Sequence, residues 1–158
     1  MYTIIPICDE LRKDVVDFIS DNWGSPIIVS KGKVHFADIL EGYVAVENGE
    51  IDGVITYSIE NGECEIVSLD SLVENQGIGS NLINKVIEKA KENKCRRVWL
   101  ITTNDNTKAI RYYQKRGFYM KEIHINAIQR SRKLKPQIPL YGFDNIPILH
   151  EIEFEKII

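Results

Sequence analysis

The stretch Glu74-Asn75-Gln76-Gly77-Ile78-Gly79-Ser80 is followed by Leu82, Ile83, Val86, Ile87 and Ala90, and then by Arg97-Val98-Trp99-Leu100-Ile101-Thr102-Thr103. Its reading decides the fold. The apolar residues recur at intervals of three and four, which marks one face of a helix of about four turns. Asn84, Lys85, Lys89, Lys91 and Glu92 fall largely on other faces. Residues 63–72 before the turn form a β-rich run, and residues 97–103 after the helix read as a buried strand. Strand, helix and strand in that order make a βαβ unit, so these two strands are expected to be parallel.

Upstream, residues 43–47 and 51–59 are further β-rich runs, separated by Asn48-Gly49 and closed by Asn61-Gly62. Asn-Gly between such runs is a strong hairpin signal, because both turn positions need positive φ. With residues 63–72 they form an antiparallel meander. Residues 2–7 are an Ile-rich edge strand. Asp9 is placed to cap a helix carrying Leu11, Val15, Phe18 and Ile19 at helical spacing, and Gly24 ends it. Residues 25–40 hold Pro26, Gly32 and a lone His35, and read as loop with broken structure. Downstream, Asn106 is placed to cap a second helix through Arg116, with Ala109, Tyr112 and Tyr113 on its inner side. Gly117 ends that helix. Residues 118–125 are another strand, and residues 148–158 alternate in part, as a last strand would.

The chain has 158 residues, 44% of them hydrophobic and 27% charged, which fits one soluble domain. Twenty basic and 23 acidic side chains give a net charge of -3, which argues against nucleic acid as a partner. Cys8, Cys64 and Cys95 are scattered and odd in number, so neither a disulfide framework nor a metal site is expected, and a reducing compartment is. No signal peptide and no membrane-spanning run is legible, so the expected location is cytoplasmic.

Two segments carry chemistry. In the turn at residues 74–80, glycines allow close approach of a ligand to the backbone. The first amides of the following helix lack intrahelical partners, and together with the helix dipole they suit a pyrophosphate. A Gly-x-Gly turn can equally be a tight connection and nothing more. It is not a dinucleotide fingerprint, which needs a small residue where Leu82 stands, nor a P-loop, which needs Gly-Lys-Ser/Thr.

The second segment is Asn106-Thr-Lys-Ala109-Ile-Arg-Tyr112-Tyr113-Gln-Lys-Arg-Gly117-Phe118. It resembles the second signature of the GNAT acetyltransferases, Asn-x-x-Ala-x-x-φ-Tyr-x-x-x-Gly-Phe. It follows the Gly-x-Gly turn by one helix and one strand, the order that family uses. The resemblance covers residues 43–125. It implies an α/β GNAT fold: a mixed, mostly antiparallel central sheet with a parallel βαβ pair and helices on both faces.

The resemblance implies acetyl-CoA as co-substrate and a role for each matching residue. Gln76, Gly77, Ile78, Gly79 and Ser80 would present amides to the CoA pyrophosphate. Backbone groups near Val67 and Leu69 would bind the pantetheine and hold the acetyl carbonyl. Asn106 would hydrogen-bond the pantetheine arm. Tyr113 would protonate the leaving thiolate, whereas Tyr112 is expected in the core. One departure stands out: the family usually has Arg or Gln where this chain has Glu74, which predicts weaker CoA affinity, with Gln76 as partial substitute. Lys108 and Arg111 could reach the adenosine phosphates. The tail around residues 132–139 and 146–153 resembles that of an uncharacterised bacterial subgroup, which suggests no substrate.

An amine must lose a proton before it attacks a thioester, and a carboxylate usually collects it. Glu65 is the foremost candidate, in phase with Val67 and Leu69; Glu63, Asp70 and His35 are alternatives. Trp23, Trp99 and residues 25–40 would help shape the acceptor site, by analogy of fold. The basic run at residues 130–135 reads as a solvated charged segment. The leading expectation is an enzyme acetylating a small amine or amino acid. Alternatives are a protein N-terminal or lysine acetyltransferase, a CoA-binding module without catalysis and, more remotely, a nucleic-acid binder. The resemblance also allows a homodimer.

Overall fold

A computed structural model describes residues 1–73 and 76–158; Glu74 and Asn75 lie outside the described residues. In chain order the elements are β1 (Thr3–Pro6), α1 (Asp9–Trp23), β2 (Ile27–Ser30), β3 (Lys33–Phe36), β4 (Glu41–Glu47), β5 (Glu50–Glu60) and β6 (Glu63–Ser71). They continue with α2 (Ile78–Glu92), β7 (Arg97–Thr103), α3 (Thr107–Lys115), β8 (Tyr119–His124), α4 (Ala127–Leu134) and β9 (Glu151–Ile157). The main sheet has the order β1-β4-β5-β6-β7-β9-β8. Only β6 and β7 are parallel neighbours in it, as the intervening α2 requires. The last strand of the chain, β9, lies between β7 and β8 and is antiparallel to both.

Two apolar layers flank this sheet. On one side α2 contributes Ile78, Leu82, Ile83, Val86 and Ala90 to a cluster with Ile55, Ile66, Val98, Tyr113 and Phe154. On the other, Val15 and Ile19 of α1 pack with Ile28, Val44, Val54 and Val67. Val54 and Ile55 are adjacent and fully buried in opposite layers. That is the signature of a central strand covered on both faces.

Two expectations need correction. Asp9 is the first residue of α1, not its cap; Cys8 holds the cap position in extended conformation, with no side-chain hydrogen bond. Residues 25–40 are not broken loop but a second, two-stranded sheet, β2 against β3. Its turn is Lys31-Gly32, with φ of 49° and 75°. Lysine rarely occupies a left-handed turn position, so the pair lacks the Asn-Gly signal that marked the other hairpins. The hairpin bears on the α1 side, where His35 is buried.

Candidate active site

The site begins with a break in the sheet. The parallel ladder between β6 and β7 runs only over residues 63–66 and 97–100. Beyond it β6 continues with β5, and β7 with β9. At that point Thr56 of β5 faces Ser68 while Tyr57 faces Ile66, so Val67 is the extra residue of a β-bulge. A bulged residue is left out of the strand ladder. The Val67 backbone therefore sits where both ladders of β6 are interrupted. The bulge also shifts the phase of the strand. Val67 packs on the α1 side and Leu69 on the α2 side, so Glu65, Val67 and Leu69 do not share one face.

On the α2 side, Gly77 starts the helix in left-handed conformation at φ 74°, with no side-chain cap and no acid in the first turn. The amides of that turn are the unpaired donors of any helix start, and the positive end of the dipole lies there. A β-carbon at Gly79 would overlap the Tyr112 hydroxyl. Tyr112, expected in the core, is only half-buried and reaches over this turn. Arg116 lies flat on the Tyr112 ring, 3.4 Å from its centroid, and donates from Nε to Ser80 Oγ at 2.9 Å. Gln76 is exposed beside the turn, and Glu74 lies outside the described residues.

Asn106 caps α3 as the sequence predicts: its Oδ1 accepts the Ala109 amide at 3.1 Å. The helix thereby presents Tyr113 to the interior, edge-on to Phe118 at 5.7 Å and tilted against Phe154 at 6.3 Å. Burial raises the Tyr113 pKa; Tyr112 and Asp70 add to the rise, and Arg116 opposes it. At neutral pH the hydroxyl thus keeps its proton. Lys108 and Arg111 are exposed on the same helix.

Asp70, near the end of β6, accepts a hydrogen bond from the Trp23 indole at 2.6 Å. Burial raises its carboxyl pKa, and the indole bond only partly offsets the rise. Asp70 stands on β6 beyond the point where β6 and β7 stop pairing.

Glu65 is buried under the hairpin. Ser30 donates to it, and His35 Nε2 lies 3.3 Å away. It lines a small cavity of about 200 Å³ with Ser58, Glu60, Asn61, Glu63 and Trp99. Glu63 binds Arg96 at 2.8 Å and Arg97 at 2.9 Å. Sequence reading missed what lies next to this cavity. Glu151, Glu153 and Glu155 of β9 are all buried, and Arg97 donates to Glu153 at 2.7 Å and to Glu155 at 3.1 Å. Desolvation works to raise the Glu153 pKa, but hydrogen bonds from Lys31, Arg97 and His124 hold it down at about 2. Glu122, His124 and Glu153 gather their ligating atoms within 4.8 Å. The cations already on Glu153 account for that grouping.

The basic run at residues 130–135 is not a solvated segment. It belongs to α4. Arg132 donates to the Pro139 carbonyl at 2.7 Å and to that of Ile148 at 2.9 Å, and buried Lys135 donates to the Trp23 carbonyl at 3.1 Å. These bonds pin residues 136–148 and tie α4 to the end of α1.

Residues 12–118 match the Acetyltransferase (GNAT) family. Uncharacterized protein YdhI of Bacillus subtilis is 45% identical over 159 residues, covering 100% of this chain and 99% of that protein. A GNAT family acetyltransferase from Elizabethkingia anophelis with acetyl-CoA bound superposes with TM-score 0.73 at 22% identity, covering 99% of this chain and 98% of that one. The IAA acetyltransferase from Bacillus cereus superposes with TM-score 0.75 at 19% identity over 100% of both chains. At such identities the structural likenesses speak for the fold.

Proposed function

The chain belongs to the GNAT family of acetyltransferases, and we propose that it transfers the acetyl group of acetyl-CoA to the amine of a small molecule or amino acid by direct attack. The observation that carries this reading is the break between β6 and β7. It is flanked by an uncapped helix start and Tyr113 on the α2 side and by Asp70, held by the Trp23 indole, on the other. The residues fit the co-substrate. The α2 amides and Gly79 suit a diphosphate, and the Val67 bulge leaves backbone groups for the pantetheine arm and the acetyl carbonyl.

In this reading the acceptor nitrogen loses its proton to a carboxylate and then attacks the acetyl carbon. Glu65 and Asp70 both remain candidates for collecting that proton. Asp70 has the better support, because it stands beyond the end of the β6–β7 ladder and Trp23 holds its carboxylate in place. As the carbon–sulfur bond breaks, Tyr113 gives its proton to the departing sulfur, the attacking nitrogen sheds its second proton to solvent as the amide forms, and Tyr113 is reprotonated from solvent.

Isothermal titration with acetyl-CoA, with NAD and ATP as controls, tests the co-substrate. A screen of amines by thiol release tests the transfer. Micromolar, selective binding and amine-dependent thiol release are expected. Binding without release to any amine or peptide N-terminus would instead favour a CoA-binding module.

A further inference from the structure

The phosphate turn of this chain carries Glu74 where the family usually has Arg or Gln, so it lacks a cation from its own sequence. A basic side chain does reach the turn, but from a different helix. Arg116, at the C-terminal end of α3, donates to Ser80 Oγ in the first turn of α2. Its guanidinium is fixed in place: it stacks on the Tyr112 ring at 3.4 Å and donates from Nη1 to the Tyr112 carbonyl at 3.0 Å. The same Tyr112 holds its hydroxyl over Gly79. The cation is therefore built into the turn by three contacts.

Arginine has five N–H donors in a planar fork suited to phosphate. The described contacts of this fork use Nε and Nη1, and their acceptors are a hydroxyl and a carbonyl, neither of them a carboxylate. Among the described residues, then, its charge is not neutralised by an ion pair, and Nη2 has donors to spare. The side chain is half-buried, which strengthens its field at the turn. Arg116 occupies a variable position of the Asn-x-x-Ala signature, so the resemblance assigns it no role.

We propose that Arg116 is the cation that grips the diphosphate of acetyl-CoA, supplying the positive charge that the turn's own sequence lacks. The proposal rests on the acetyl-CoA reading. In the bound state the free edge of the guanidinium adds charge-assisted hydrogen bonds to those of the Ile78, Gly79 and Ser80 amides. Tyr112 acts as its positioning residue, and through Gly79 it also sets the shape of the turn.

The test compares two thioesters by isothermal titration: acetyl-CoA, and S-acetylpantetheine, which lacks the diphosphate. The wild-type chain is expected to prefer acetyl-CoA strongly. In Arg116→Gln that preference should fall about tenfold, and in Arg116→Lys, which keeps the charge but not the planar fork, only part of it should return. In turnover the glutamine variant should show its loss in KM for acetyl-CoA rather than in kcat. If Arg116→Gln weakens both thioesters by the same factor, the residue only braces α3 against α2 and the proposal is overturned. A wild-type chain that binds neither thioester would overturn the acetyl-CoA reading itself.

Discussion

The two faces of the central sheet are built from different chemistry. The α2 face is apolar and periodic: Ile78, Leu82, Ile83, Val86 and Ala90 meet Ile55, Ile66, Val98 and Phe154. Its polar features include a helix start, the Tyr112 and Tyr113 hydroxyls and the Arg116 fork. The α1 face has an apolar half of its own. Under the β2–β3 hairpin, however, half-buried Glu63 and buried Glu65, Glu151, Glu153 and Glu155 form a lattice tied to Arg97, Lys31 and histidines. The first face holds its shape by area removed from water, which is tolerant of direction. The second depends on each charge finding its partner, since an uncompensated buried charge costs far more than a lost methyl group. On the proposed reading, the tolerant face carries the common co-substrate and the exacting face carries the acceptor.

Four experiments break or sharpen this contrast. The largest effect is expected on the α2 face. Gly79→Asp should eliminate detectable acetyl-CoA binding, since the new side chain overlaps the Tyr112 hydroxyl and adds a negative charge at the turn. Titration that finds unchanged affinity would remove the turn from the binding site.

On the opposite face, Glu153→Gln should cost about 3 kcal/mol in urea unfolding, because Arg97 and Lys31 lose a fully buried partner. The folded-state pKa of Glu153 is held near 2, below its unfolded value of about 4.3. Its stabilisation is therefore present above that unfolded value and is lost as pH falls from there towards 2. The glutamine variant should unfold with a flatter acid dependence. A loss under 0.5 kcal/mol would mean that the lattice behaves like a surface ion pair.

Tyr113→Phe should lower kcat about 100-fold while changing acetyl-CoA affinity by no more than about twofold. A large loss of affinity with normal turnover would refute the acid role. The smallest effect separates the two carboxylates. Asp70→Asn should lower kcat/KM about tenfold and remove the acidic limb of its pH profile. That limb should lie above the ordinary aspartate range, because burial raises the Asp70 pKa. Glu65→Gln should leave the limb in place. The reverse pattern, read from the same profiles, would assign the proton to Glu65.

Legibility followed the same division. The meander, the βαβ unit and the Asn106-capped helix were readable because each is set by neighbours in sequence: Asn-Gly turns, a 3.6-residue period and a cap three residues from its donor. The hairpin at residues 27–36 was not, because Lys31-Gly32 is a weak turn signal and Pro26 argued for loop. Glu151-Ile152-Glu153-Phe154-Glu155 reads as a half-exposed strand whose glutamates face water. Only the insertion of β9 between β7 and β8 brings them to Arg97. The one local hint was a pair of arginines opening an otherwise apolar strand.

By itself, then, the sequence determined the α/β class, the parallel pair, the glycine turn that starts α2 and the position of Tyr113, since these depend on periodicity, turn chemistry and spacing along the chain. Tertiary structure alone decided the Val67 bulge, the pairing of Trp23 with Asp70, the burial of the β9 glutamates and the reach of Arg116 to Ser80. Each of these joins residues far apart in sequence, or slips the register of one strand against another. Such contacts are fixed by packing of the whole, because a buried charge or an interrupted ladder is stable only where distant elements supply the missing partner.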